Sequence, residues 1–309
     1  MDILAFRSDL IKAIRYYFEV ENIDEVTTPL LRETGSVEVH LDSIATQGFP
    51  SYFLQTSPEY AMKVVLAEYG RSIYQICPAI RSGENSRRHR IEFQLLEWYR
   101  CNYDLADLAQ DLQKLLSLIK EVLGEKFELK LDFSEIDKVT YKQLFVEFYG
   151  INPHCSSAHE LRNLAVHMGL SHLGEDASES DCLDGLFAGG IEPELRSPVI
   201  VTEFPSCQAA LAEITINQSG DEVSSRFELF ANGLELANAY QELDDPTELE
   251  QRFNDYNRQR EIFGKAEMLL DKALLNSVGS IGTYSGIALG VDRLAMCLLG
   301  AESIAEVTL

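Results

Sequence analysis

Two strand-like runs flank a basic loop between residues 73 and 101, and this arrangement restricts the fold more than any other feature of the chain. The first run, SIYQICPAI, is apolar and ends on a lone arginine, Arg81. The second, EFQLLEWYR, alternates Phe93, Leu95 and Tyr99 with polar neighbours, the pattern of a half-buried strand. Between them lie Arg87, Arg88, His89 and Arg90. The spacing predicts two antiparallel strands with a long cationic loop. Guanidinium forks match phosphate oxygens and a ring face stacks on a base, so such a hairpin suits a nucleoside triphosphate. A surface hairpin with a solvated charged tip has the same pattern.

The remaining segments supply partners for that hairpin. Residues 3–20 carry helical apolar spacing, EVTTPLL (25–31) reads as a short edge strand because Pro29 lacks an N–H, and 52–55 reads as another strand. SPEYAMKVVLAEYG opens with Ser57 as N-cap, Pro58 in the first turn and Glu59 after it, and ends near Gly70. Residues 104–124 form a long amphipathic helix closed by Gly124. The acidic stretch 125–198 is weakly periodic, with helical pieces expected at 140–148, 158–168 and 180–189, and reads as a surface insertion. PVIVTEFP resumes regular patterning, and RFELFANGLELANAYQEL (226–243) is a hairpin turned at Asn232-Gly233. Helices are predicted at 246–263 and 265–275, followed by a glycine-bearing strand that runs into a helix starting near Val291.

Charge narrows the function classes. The 309 residues hold 26 basic and 50 acidic side chains, a formal charge of −24. A duplex or tRNA binder shows a basic face, and here the cations gather at 81–100, which disfavours a large nucleic-acid footprint. No apolar run reaches the ~18 residues of a membrane span and the first twenty residues are no signal peptide, so a soluble cytoplasmic protein is expected. The six cysteines are scattered without a C-x-x-C pair, which fits reduced thiols. His154, Cys155 and His159 are neighbours but lack the usual zinc spacings.

Three constellations carry chemistry. Glu228 and Glu235 lie on the two strands of the second hairpin, where pairing can bring both acids to one end of a site. Carboxylates at a nucleotide site commonly hold Mg²⁺. A solvated acidic hairpin is the alternative. GIALGVDRL sets Arg293 on the first turn of a helix after Gly290, which strengthens an anion site at a helix N-terminus. Glu59, Glu97 and Glu242 beside the Tyr99 hydroxyl suit a diamine or lysine-like ammonium.

Together these stretches resemble class II aminoacyl-tRNA synthetases. TTPLL resembles motif one, IRSGENSRRHRIEFQLLEWYR motif two and GIALGVDRL motif three, while SPEYAMK and ELANAYQEL resemble the amino-acid pocket of the lysyl branch. The motif-one helix begins almost at Met1, so no anticodon-binding OB domain is expected. That layout, with TSPEY, LLEWYR, ELANAYQEL and SGIALGVDRL, is very similar to the truncated lysyl paralogues that attach (R)-β-lysine to elongation factor P. The resemblance implies an α+β fold with an antiparallel sheet flanked by helices, spanning 1–309 and dimerising through motif one. It implies ATP and Mg²⁺ as co-substrate and cofactor, with elongation factor P rather than tRNA as acceptor. Two alternatives are a stand-alone domain charging tRNA or a small molecule, and a non-catalytic regulator.

Residue by residue, the resemblance puts Arg81 on the α-phosphate and substrate carboxylate and Arg293 on the γ-phosphate. Phe93 and Arg293 would sandwich the adenine, near the backbone of Ser82, Gly83 and Leu236, with Arg90 also at the nucleotide. Glu228 and Glu235 would hold Mg²⁺. Glu59, Tyr99 and Glu242, helped by the Ser57-Pro58 turn, would bind the side-chain ammonium, and Glu97 the other amine. Asn238 would orient the carboxylate, and Gly290 would leave room for the nucleotide. Ala288 stands where tRNA-charging lysyl enzymes usually have glycine, and its methyl would push the substrate backbone as a β-amino acid requires. Three positions depart from the family pattern: Ser82, Gly83 and the pair Arg90-Ile91.

Overall fold

The structure is a computed structural model that describes residues 2–48, 50–170, 173–174 and 177–309. Residues 171, 172, 175 and 176 of the acidic stretch lie outside the described residues. The chain divides into two compact units, Met1–Leu131 with Glu242–Leu309, and Asp132–Gln241. In chain order the first unit begins with α1 (Ile3–Val20), β1 (Asp24–Glu25), β2 (Leu31–Arg32), β3 (Phe53–Leu54), α2 (Glu59–Tyr69), β4 (Ile73–Ile80), β5 (Glu92–Cys101) and α3 (Leu105–Gly124). The second unit holds β6 (Asp137–Thr140), α4 (Tyr141–Tyr149), α5 (Ala158–His167), α6 (Glu179–Leu186), β7 (Val199–Pro205), β8 (Ile214–Ile216), β9 (Glu222–Ala231) and β10 (Leu234–Gln241). The first unit then resumes with α7 (Pro246–Ile262), α8 (Lys272–Ser277), β11 (Tyr284–Gly290) and α9 (Val291–Leu299).

In the first unit β5 lies between β4 and β11, antiparallel to both, and the two-residue β1 adds in parallel at the edge of β4. Asp2 caps α1 through its carboxylate, and Phe6, Leu10, Ala13, Ile14, Tyr17 and Phe18 recur at helical spacing on the buried side. Phe18 stacks on Tyr74 with ring centroids 4.1 Å apart and meets Trp98 edge-on at 5.6 Å. Each such burial contributes about 1.5–3 kcal/mol. Asp104 and Asp107 close a capping box on α3. From α3, Asp111 accepts from the Trp98 indole at 3.0 Å, the Tyr17 hydroxyl at 2.6 Å and the Arg100 guanidinium at 3.0 Å. One buried carboxylate thus ties two helices to the even-numbered face of β5.

The odd-numbered face of the same strand is what corrects the sequence reading. Leu95 through Arg100 are all buried, so β5 is not half-exposed. Its alternation separates an apolar face under α1 and α3 from a face carrying Glu97 and Tyr99. Register pairs Gly286 with Tyr99, Ala288 with Glu97 and Gly290 with Leu95, so β11 lays small residues beside those polar ones.

In the second unit β9 pairs antiparallel with β7, β8 and β10, and β6 joins β7 in parallel. Stacked Tyr141, Phe145 and Phe187 form its core with Phe204 and Phe230. The Asn232-Gly233 turn forms as expected, with φ of 55° and 67°. The left-handed backbone and Pro193 Cα, 3.2 Å from where a Cβ would sit, both demand glycine at 233.

Other expectations need correction. EVTTPLL is not one strand: only Asp24–Glu25 and Leu31–Arg32 pair, and Pro29 lies in irregular chain between them. The helix expected at 265–275 shrinks to Lys272–Ser277, since 265–271 makes tertiary contacts instead, with Asn257 Nδ2 donating to Met268 O and Arg260 Nε to Ala266 O. Gly124 is the last helical residue and Glu125 is the C-cap. The four-residue strand β6, paired in parallel with β7, is too short to carry a periodic signal in the sequence.

Candidate active site

In the first unit, α2, β5, β11 and the residue after β10 bring an acid pocket together. Pro58, and not Ser57 as expected, is the N-cap of α2; Ser57 Oγ accepts from the Glu59 backbone N–H at 3.4 Å, and Glu59 stands in the first turn. One turn on, Lys63 donates to Glu59 at 2.7 Å and pairs with Glu242 at 2.5 Å. The Tyr99 hydroxyl donates to Glu97 Oε1 at 2.7 Å. The other Glu97 oxygen is buried without a hydrogen-bond partner among the described residues. Burial, then the Glu59 charge, pushes the Glu97 carboxyl up to about 8. Burial and the surrounding carboxylates raise Tyr99 well above the usual phenol range. Burial alone would lower Lys63, yet Glu242 and Glu59 outweigh it and hold the ammonium well above its ordinary value.

The glycine of β11 at 286 is required by contact. A Cβ there would collide with the Tyr99 ring and with Glu242 Oε1. Ala288, two residues on, is half-buried on the same face beside Glu97.

The cationic loop lies at the end of β4 and β5. The Arg81 guanidinium stacks over Phe93, 5.1 Å from Cζ to the ring centroid, with Nε donating to Thr56 O at 3.3 Å and Nη1 in an ion pair with Glu84 at 3.7 Å. Ser82 N–H donates to Asp42 O, and Gly83 takes a left-handed φ of 81° that glycine adopts without strain. Arg293 Nη2 donates to His89 Nε2 at 2.5 Å. A guanidinium has only donors, so His89 accepts there, and its Nδ1 faces Ser86 Oγ at 2.9 Å as the N–H. Arg90 donates to Thr308 and Arg87 pairs with Glu302, which ties the loop to the C-terminal segment. The atoms nearest to a Cβ at Gly290 would be those of the Arg293 side chain, at 3.7 Å, an ordinary contact.

Arg293 owes its position to its neighbour. Asp292 accepts from Arg7 at 2.6 Å and from the Gln94 backbone N–H at 2.7 Å, which fixes the start of α9 against α1 and β5.

In the second unit a bulge decides the geometry. Glu235 pairs with Phe230, but Ala237 pairs with Leu229 and Asn238 with Glu228. The extra residue, buried Leu236, puts Glu235 and Asn238 on the Glu228 face, although they are three apart in sequence. Arg226 donates to Glu228 and, at 3.1 Å, to Asn238 Oδ1, while Asn238 Nδ2 donates to the Tyr240 hydroxyl at 3.0 Å. Burial pushes the Glu228 carboxyl up to about 8, with Arg226 opposing and Glu235 adding to the rise. Among the described residues no group of three or more His, Cys, Asp or Glu gathers as a metal site. Magnesium needs only one or two carboxylates beside phosphate oxygens, and two acids that repel each other in a buried setting fit a hard cation.

The family profile described as tRNA synthetases class II (D, K and N) matches residues 1–309. The elongation factor P–(R)-β-lysine ligase of Vibrio atlanticus (strain LGP32) is 36% identical over 98% of this chain and 93% of that protein. Those of Edwardsiella ictaluri (strain 93-146) and Salmonella typhi are 36% and 35% identical over 97% of this chain and 92% of each. The chain belongs to the class II tRNA synthetase family, in its elongation factor P–(R)-β-lysine ligase branch. This ligase-branch synthetase fold has no helix among the described residues long and apolar enough to cross a membrane.

Sequence reasoning missed Lys63, Arg226 and Gly286. Lys63 lies between Met62 and Leu66 on the buried stripe of α2, a sign that its charge is not solvated. Gly286 is a strand-interior glycine, which marks a close approach. Arg226 has no comparable signal.

Proposed function

We propose that this protein uses ATP to activate (R)-β-lysine, or lysine, as an aminoacyl-adenylate and transfers it to the ε-amine of a lysine of elongation factor P. The observation that carries the reading is the buried acid pocket on the odd face of β5, where Glu97 keeps an unpartnered oxygen for an ammonium. The ligase relatives over nearly the whole chain support the acceptor.

A substrate carboxylate oxygen attacks the α-phosphorus, and pyrophosphate leaves. Arg81 neutralises the charge that develops there, while Phe93 and Arg293 hold the adenine and Arg293 the γ-phosphate. Ser82, Gly83, Arg90, Leu236 and Gly290 would line the nucleotide. Glu59, Tyr99, Glu242 and the Ser57-Pro58 turn hold the side-chain ammonium, Glu97 the second amine and Asn238 the carboxylate. No side-chain nucleophile is needed, because positioning and charge neutralisation lower the barrier. The neutral acceptor amine then attacks the mixed anhydride, AMP leaves, and the amine loses its proton. Glu228 and Glu235 would hold Mg²⁺, which when bound neutralises phosphate charge.

The profile match over 1–309 supports one catalytic domain, and 132–198 belongs to the core of its second unit instead of lying on the surface as an insertion. Exposed Leu30 and Leu31 in motif one support pairing with a second copy there. Six free cysteines support a reducing, cytoplasmic setting. Pyrophosphate exchange with (R)-β-lysine and lysine, followed by transfer of labelled amino acid to elongation factor P or to tRNA, tests the reading. Exchange with label in elongation factor P is expected. Absence of exchange, or label in tRNA alone, would overturn it.

A further inference from the structure

The acid pocket contains a cation that none of the proposed substrate contacts uses. Lys63 is buried on α2, with its ammonium 2.7 Å from Glu59 and 2.5 Å from Glu242. These are two of the carboxylates assigned to the substrate amine. The groups facing this cluster come from every element around it: Glu59 and Tyr60 from α2, Glu97 and Tyr99 from β5, Cys77 from β4, Tyr284 from β11, and Glu242 with Asp244 after β10. The tyrosines and the thiol are all shifted toward their neutral forms by burial. That leaves three carboxyls, Glu59, Glu97 and Glu242, against one ammonium, with Glu97 held toward its neutral form until a further cation arrives.

We propose that Lys63 is a positioning and charge-balancing residue that holds the Glu59 and Glu242 carboxylates in place, and leaves a pocket whose remaining charge is met by the two ammonium groups of a diamino acid. The inference rests on the amine-pocket reading above. Three carboxylates in a buried site cannot all ionise without cations, because each raises the next. One internal ammonium shared by two of them reduces the deficit to two positive charges. A substrate with a single ammonium leaves one acid unmatched and is rejected by the cost of burying it. A diamino acid closes the balance, and the bare oxygen of Glu97 is where its second amine arrives.

The test compares Lys63→Met and Lys63→Arg with the unmodified full chain. In pyrophosphate exchange, Lys63→Met should raise KM for the diamino acid about tenfold or more while KM for ATP and kcat stay within about twofold. Loss of the cation removes the Lys63 charge that opposes the rise of the Glu97 carboxyl, so the acid limb of kcat/KM should move up by about one pH unit, and Lys63→Arg should bring it back. A second measurement needs no substrate. Carboxyls raised in the folded state stabilise it below their unfolded pKa, and that stability is lost as pH rises through the folded pKa. Thermal unfolding of Lys63→Met should therefore fall more steeply from about pH 6 to about pH 9 than the unmodified protein. If the methionine variant does not fold, Lys63→Gln carries both measurements. Equal loss in kcat and both KM values with an unmoved acid limb, or parallel unfolding curves, would overturn the proposal. An unmodified protein silent with every diamino acid would instead overturn the functional reading, and unfolding would still decide the role of Lys63.

Discussion

Two buried glutamates, one in each unit, have carboxyls pushed up to about 8, yet they keep different company. Glu228 sits against Arg226, a guanidinium that also holds Asn238 and donates to Gln208 O at 2.7 Å. Among the described residues Glu97 has a tyrosine hydroxyl as its one side-chain hydrogen-bond partner, while the nearby Lys63 ammonium is taken by Glu59 and Glu242. The first glutamate is part of a cluster whose cation is built in, so its worth is structural as well as functional. The second is short of a cation, which is the condition for binding one.

If that contrast holds, removing the built-in cation should do the most damage. Arg226→Met leaves Glu228 buried and uncompensated, and is expected to cost about 3–5 kcal/mol in denaturant unfolding. A loss under about 1 kcal/mol would put the two clusters on the same footing. Next in size is Gly286→Ala, whose methyl displaces Tyr99 and Glu242 without touching a charge in the second unit. It should lower kcat/KM for the diamino acid about a hundredfold with ATP binding kept, as equilibrium nucleotide titration would check. Glu97→Gln should raise KM for the diamino acid about tenfold. It should also flatten the pH dependence of stability. The raised Glu97 carboxyl stabilises the fold below its unfolded value near 4.5, and that contribution is lost as pH rises through about 8. An unmodified protein equally stable by thermal unfolding on both sides of that window would contradict the assignment. Smallest is Ala288→Gly, expected to shift the preference between lysine and β-lysine a few-fold in competitive exchange. An unchanged ratio would remove Ala288 from the account.

The elements that met the sequence expectation are those whose signals are local. α1 has its cap and its stripe, and the second hairpin has Asn232-Gly233. The features that escaped depend on partners far along the chain. Nothing near Arg100 announces Asp111 as its partner, and nothing near Lys63 announces Glu242. The alternation in β5 was legible but its meaning was not, because periodicity distinguishes two faces without saying whether the second meets water or a pocket. The bulge at Leu236 was hidden for a related reason: strict two-residue alternation separates Glu235 from Asn238, and only the observed register reunites them.

Asp292 and Arg293 are adjacent, and their division of labour sets a tempo. The carboxylate moors the first turn of α9 to a helix and a strand, which anchors the backbone under the guanidinium. If Arg293 takes an anion as proposed, exchanging His89 for it needs torsional hops of one side chain, which take picoseconds to nanoseconds. Capture at that position would keep pace with diffusion and wait for no slower rearrangement of the helix.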